Sequence, residues 1–117
     1  MQARPSTSSR FLVLDLAIEA IAAARPLVAR IRRYDRDLGE QLRRALSSVA
    51  LNIGEGNYSE GGNRISRFST AAGSAAEARA GLRVAVAWGY IEAGDAEAID
   101  ALLDRVARML HGLGARR

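Results

Sequence analysis

From about residue 9 to residue 113, apolar side chains return every three or four positions, and nowhere do they alternate as a strand requires. That periodicity excludes a sheet and predicts helices over about 9–33, 38–54, 63–89 and 95–112, with flexible tails over 1–8 and 114–117. Proline occurs only at Pro5 and Pro26, in keeping with a chain that is helical nearly throughout. At 117 residues there is room for one domain with one core. Four helices with short connections predict an all-α, antiparallel up-down-up-down four-helix bundle.

The first helix carries two apolar stripes. Leu14, Ala17, Ile18, Ile21, Ala24, Val28 and Ile31 form one; Leu12, Leu16, Ala20, Ala23 and Leu27 form the other, nearly opposite. A helix on the surface of a monomer needs only one stripe. The second is therefore expected to form an oligomer interface. Pro26 removes the N–H that would bond residue 22, so a kink is expected between residues 22 and 26.

The second helix turns Leu38, Leu42, Ala45, Leu46, Val49 and Ile53 inward, while Arg44, Ser48, Asn52 and Glu55 line its other side. The third buries Ile65, Phe68, Ala72, Ala75, Leu82 and Val86 and leaves a mostly small face of Ser66, Thr70, Gly73 and Gly81, with Glu77 among them. Glycine inside a helix costs about 1 kcal/mol relative to alanine, so close approach of a neighbour must offset Gly73 and Gly81. In the fourth, Ile99, Leu102, Leu103, Val106, Leu110 and Leu113 form one stripe. Asp95 is its expected N-cap, and Asp104 with Arg108 an i, i+4 pair.

Gly54, Gly56, Gly61 and Gly62 cluster between the second and third helices. A phosphate loop of the Walker type needs a preceding strand and a lysine, and this sequence has neither. The glycines therefore read as helix end and turn, where positive φ is wanted. Folding the two helices about this hinge sets Glu55 level with Arg64, Asn52 with Arg67, and Arg43 or Arg44 with Glu77. The expected role of these seven residues is a charged interhelical clasp.

No catalytic constellation is visible, and an enzyme is not expected. The one histidine, His111, lies near the C-terminus without a partner, and the carboxylates lack the E-x-x-H spacing of a metal bundle. No cofactor pattern is present. The absence of cysteine excludes disulfides and suits a reducing compartment. No signal-peptide layout or membrane-length apolar run appears, so a cytoplasmic protein without membrane association is expected.

The net charge is +4, and every basic residue is arginine. Arg30, Arg32, Arg33 and Arg36 cluster and are the expected phosphate-binding surface, diluted by Asp35 and Asp37. Only six residues are aromatic. Tyr34 and Tyr58 are the ones expected to be exposed, so stacking on bases should be minor.

The stretch "LGEQLRRALSSVALNIGEGNYSEGG", followed by "RFSTAAGSAAEARAGL" and "GYI", resembles the four-helix-bundle proteins of open reading frames inside 23S rRNA intervening sequences. That fold group also includes the accessory variability determinant of diversity-generating retroelements. The most specific pieces are Arg43-Arg44-Ala45, Asn52-Ile53-x-Glu55-Gly56, Gly73-Ser74-Ala75-x-Glu77 and Gly89-Tyr90-Ile91. Ala50 and Leu51 stand where the family usually has a proline, and Pro26 is unusual for it.

The resemblance implies a ring or barrel-shaped homopentamer, and in the retroelement branch a basic barrel that binds a reverse transcriptase and nucleic acid. Five copies would carry about +20, five times the charge of one. Two readings follow. One is an accessory module binding RNA or DNA phosphates, beside a reverse transcriptase; the other is a structural or protein-interaction pentamer whose arginines pair internally.

Overall fold

The structure is a computed structural model that describes residues 5–116, with side chains from Ser9 onward. Four helices follow one another: α1 (Pro5–Tyr34), α2 (Arg36–Asn57), α3 (Gly61–Trp88) and α4 (Ala93–Gly112). No strand occurs among the described residues. At about 1.5 Å per residue, the 30 residues of α1 reach most of the 49 Å long dimension. The connections therefore sit at the ends of the molecule. No described helix is long and apolar enough to cross a membrane.

The core is built from Leu, Ile, Val, Phe68 and many alanines, with no buried polar side chain among the described residues. Alanine is concentrated on α3, where Ala71, Ala72, Ala75, Ala78 and Ala85 are all buried. Their small side chains let α3 approach its neighbours closely. The most extensive interface is α2 with α3. The predicted inward residues of α2 are buried except Leu38, which is half-buried, and α4 buries Ile99, Leu103, Val106 and Leu110.

On α1 the two predicted stripes turn out to be flanks of one wide core face. The buried positions are Val13, Leu16, Ala17, Ala20, Ala24, Leu27, Val28 and Ile31. At about 100° per residue these centre between the two stripes. Across this face α1 packs on both α2 and α4. Leu16, Ala20 and Leu27 are therefore subunit core and not an oligomer interface, while Leu12 and Ala23, at the far edge, are exposed. The apolar face left open lies opposite the core and comprises Phe11, Ile18, Ala22 and Ala29.

Pro26 does not interrupt α1. Ala22 and Pro26 are both exposed, so the carbonyl left without a helix partner at residue 22 can bond water.

The helix ends explain the connections. A single residue, Asp35, separates α1 from α2. Its carboxylate accepts the Leu38 N–H at 3.0 Å, which starts α2 two residues before the predicted position. Gly89, at φ 79°, closes α3 in a left-handed turn, and the Tyr90 N–H returns to the Ala85 carbonyl at 3.0 Å. Glu92, not Asp95, is the N-cap of α4. Asp95 lies three residues inside, and its carboxylate accepts the Glu92 N–H at 3.2 Å.

Two expectations about the ends change. Residues 1–4 of the predicted N-terminal tail lie outside the described residues, and α1 already begins at Pro5. At the other end, the Ala115 N–H bonds the Leu110 carbonyl at 2.9 Å and the Arg116 N–H bonds Ser69 Oγ at 2.8 Å. The segment expected as a C-terminal tail is thus fastened to the start of α3 as far as Arg116; Arg117 lies outside the described residues.

Candidate nucleic-acid interface and interhelical clasp

The arginine cluster occupies the α1–α2 junction, because α1 ends on Arg32 and Arg33 and α2 begins at Arg36. Arg32, Arg33 and Arg36 line, with Ala29, a shallow open cleft of about 470 Å³. The four arginines are not equivalent. Arg30 pairs with Asp95 of α4 at 3.1 Å, and Arg32 pairs with Glu40 of α2 at 3.0 Å. Arg33 and Arg36 have no carboxylate within 4.0 Å among the described residues. Two of the four predicted phosphate ligands are thereby committed inside the subunit, and two remain available to an anion.

The clasp between α2 and α3 forms, with different partners. Arg67 bonds both Glu55, at 3.3 Å, and Asn52 Oδ1, at 3.4 Å. Asn52 in turn donates to the Ser48 carbonyl at 2.9 Å, and Ser48 Oγ meets Ser74 Oγ at 2.8 Å. Arg64 pairs with no acid among the described residues; its guanidinium donates to the carbonyls of Gly56 and Ser59 and so holds the turn by its backbone. Arg43 reaches only Glu40 of its own helix, at 4.0 Å. Arg44 and Glu77 are both exposed and without an ion-pair partner among the described residues. The expected pairing of Glu77 with Arg43 or Arg44 is therefore corrected: both helices turn these groups to solvent.

The glycines also divide differently. Gly54 and Gly56 lie within α2, and of the four only Gly61 takes a positive φ, at 55°. A Cβ on Gly56 would stand 2.5 Å from Cε1 of the buried Phe68 ring. Gly56 is there for close packing. Gly81 plays the matching part on α3, where a Cβ would lie 2.7 Å from Leu42 Cδ2.

A polar centre that sequence reading missed joins α3 to α4. Arg79 donates from Nε and Nη2 to both oxygens of Asp100, at 2.9 and 3.1 Å, and from Nη1 to Asp104 at 3.0 Å. Asp104 also holds the expected pair with Arg108, at 3.1 Å. Hydrogen bonding to Asp100 raises the Arg79 pKa above its ordinary value, against the opposing effect of burial. The available signal was the i, i+4 spacing of Asp100 and Asp104, which puts both carboxylates on one face of α4.

The aromatic residues form a second feature absent from the sequence expectation. Tyr34 and Tyr90 stack with centroids 5.2 Å apart and planes 7° from parallel, and Trp88 stacks on Tyr90 at 6.4 Å and 17°. The Tyr90 hydroxyl donates to Asp35 at 3.5 Å. Burial, then the Asp35 carboxylate, raise the phenol's pKa above its usual value. Tyr34 and Trp88 remain 65% and 68% exposed.

His111 Nδ1 lies 3.3 Å from the Ala115 carbonyl at the exposed end of α4. No three His, Asp or Glu side chains converge as a metal site would require among the described residues.

The sequence matches the family model of the 23S rRNA-intervening sequence protein over residues 14–112. The chain belongs to the 23S rRNA-intervening sequence protein family. The match takes in the clasp, the Arg79 centre and the aromatic stack, together with most of all four helices. Among solved structures, the chain is similar to a crystal structure from Bacteroides thetaiotaomicron, described as a protein with unknown function from the S23 ribosomal protein family. The TM-score is 0.81 at 18% identity, covering 90% of this chain and 96% of that one. At that identity the likeness speaks to the fold. No curated protein matches the sequence.

Proposed function

We propose that this member of the 23S rRNA-intervening sequence protein family is a non-enzymatic, nucleic-acid-associated subunit of a homopentamer, engaging RNA or DNA through phosphates. The observation that carries the reading is the cleft at the α1–α2 junction, where Arg33 and Arg36 stand without carboxylate partners among the described residues. Guanidinium groups in such a setting bind phosphate oxygens in bidentate fashion. A reverse transcriptase is a partner in keeping with the likeness to the retroelement accessory determinant.

The proposed subunit is an antiparallel up-down-up-down bundle. Supporting this, Arg10 at the start of α1 bonds Asn57 at the end of α2, and Arg30 near the end of α1 pairs with Asp95 at the start of α4. Between α2 and α3, Leu42 meets Gly81 while Gly56 meets Phe68. The proposed pentamer is supported by the open apolar face of α1, on which Phe11 and Ile18 are each about half exposed.

Titration of the protein with labelled RNA and DNA across a salt series tests the nucleic-acid role. Affinity should fall steeply with salt, because each neutralised phosphate releases counterions. Absence of binding at low ionic strength overturns it. The second reading, a purely structural or protein-interaction pentamer, is favoured by the commitment of Arg30, Arg32, Arg67, Arg79 and Arg108 to intramolecular ion pairs. It is what remains if that titration fails.

A further inference from the structure

We infer that the stacked rings of Tyr34, Tyr90 and Trp88, together with Arg33 and Arg36, form a binding step for an unpaired strand of nucleic acid. The inference rests on the phosphate-binding reading above and adds to it a base-stacking element and a preference for single strands.

Half of the aromatic residues in the chain are gathered at this one end of the molecule. They come from two connections, α1–α2 and α3–α4, which are far apart in sequence. Tyr90 is the shared ring. It is fixed by its hydroxyl on Asp35 and by its N–H on the Ala85 carbonyl. The left-handed turn at Gly89 sets Trp88 and Tyr90 at a defined angle. Asp35 is itself held as the cap of α2. The rings are therefore positioned before any ligand arrives, which limits the ordering cost of binding.

What the rings lack is a cover. Trp88 and Tyr34 expose about two-thirds of their surface, more than any other described large apolar residue except Leu51 and Tyr58. A nucleobase is a flat π-surface that can extend such a stack, and it offers a free face only when unpaired. The neighbouring charge has the matching sign. Arg33 and Arg36 lie at the same α1–α2 junction as Tyr34 but on a neighbouring face, so a strand several nucleotides long with one base on the rings would have further phosphates for the cleft that these arginines line. Stacking engages the π-face that every base has, so the step is tolerant of sequence.

Trp88 is the only tryptophan, so its fluorescence reports this site alone. The probes are a short single-stranded RNA, the DNA of the same sequence, and the corresponding duplexes, titrated into the full chain at low salt. Both single strands should quench Trp88 emission and the duplexes should not. Trp88→Ala should weaken single-strand binding about 5- to 150-fold and leave duplex binding within about twofold. Trp88→Phe, which keeps a ring, should retain most of the affinity. Arg33→Gln with Arg36→Gln should weaken single strands and duplexes alike and reduce the salt slope by about 2. Since Trp88 is largely exposed and loses only its stack on Tyr90, Trp88→Ala should lower the melting temperature modestly and leave the chain folded.

Single-strand binding that survives Trp88→Ala but falls with the arginine pair overturns the stacking step while leaving the phosphate reading standing. Trp88 emission that stays blue-shifted and unquenched at saturating strand also overturns it, because a neighbouring subunit would then be covering the ring. Failure of every nucleic acid to bind removes both readings together.

Discussion

The ring of Phe68 lies so close over Gly56 that a Cβ on residue 56 would stand 2.5 Å from Cε1 and 2.7 Å from Cδ1. Phe68 is fully buried, so its ring can make room only by displacing close-packed neighbours. Gly56→Ala should therefore overpack the α2–α3 contact, at about 1–3 kcal/mol. Part of this is offset by the better helix propensity of alanine, which is at most about 1 kcal/mol. Gly54, two residues earlier, has nothing within 4 Å of its would-be Cβ. Gly54→Ala should stabilise by up to about 1 kcal/mol. Urea melts at one fixed protein concentration should show opposite signs, and equal shifts would contradict the packing role of Gly56.

The Arg79 centre should matter more than any other ion pair in the subunit. Its side chains are about one-third exposed, so screening limits the effect. Asp100→Ala should cost about 1 kcal/mol, the upper end for accessible pairs, because it removes a two-point interaction. Asp104→Ala should cost less, since Asp104 offers Arg79 a single contact. Glu77→Ala, at an exposed residue with no partner, should change stability by no more than about 0.5 kcal/mol. A double-mutant cycle between Arg79→Ala and Asp100→Ala isolates the pair, and a coupling energy of zero would refute it.

Tyr90 gives the subunit an alkaline limit. Its phenol holds the proton more tightly in the folded state, through burial and the nearby Asp35 carboxylate. The resulting stabilisation is complete below the ordinary phenol pKa of about 10 and is lost as pH rises from there toward the folded value. Thermal stability should fall more steeply above about pH 10 in the parent chain than in Tyr90→Phe. Parallel pH profiles for the two would show that Tyr90 does not carry the effect.

Assembly can be tested at two residues of α1 whose environments differ. Leu16 is core, whereas Ile18 is half exposed on the opposite face. If that face joins subunits, Ile18→Glu should dissociate the oligomer and leave its helicity intact. Leu16→Glu should unfold the chain, because it buries an unpaired charge. Sedimentation equilibrium with circular dichroism distinguishes the outcomes. An unchanged mass for Ile18→Glu would exclude this face as the interface.

Elements whose apolar residues fall in a single stripe were legible from sequence alone. Leu42, Leu46, Val49 and Ile53 on α2, and Ile99, Leu103, Val106 and Leu110 on α4, lie where their spacing placed them. The first helix was harder because apolar residues such as Leu12, Ile18, Ala22 and Ala29 also occupy its exposed sides, so the two edges of its core face read as two separate stripes. Contacts between distant residues left the weakest trace. Arg79 finds Asp100 across an interhelical groove, and Tyr34 finds Tyr90 from the opposite half of the chain, with no local pattern announcing either. Arg30 and Arg32 were expected to face a phosphate because their partners, Asp95 and Glu40, approach from other helices.

The reciprocal seats of α2 and α3 bear on how the molecule can change. Phe68 of α3 enters the gap at Gly56 of α2, and Leu42 of α2 enters the gap at Gly81 of α3. Like two dowels set near opposite ends of a joint, they prevent axial slip. Sliding by one turn, about 5.4 Å, would drive Phe68 toward Asn52 or past the end of α2 at Asn57, and Leu42 toward Glu77 or Ala85. Alignment is thus held along the shafts of the helices, and the short connection over 58–60 need not supply it. Doubling the length of such a connection adds only about 0.6 kcal/mol of closure entropy. That bend is where insertions could accumulate over evolutionary time while the two shafts stay in step.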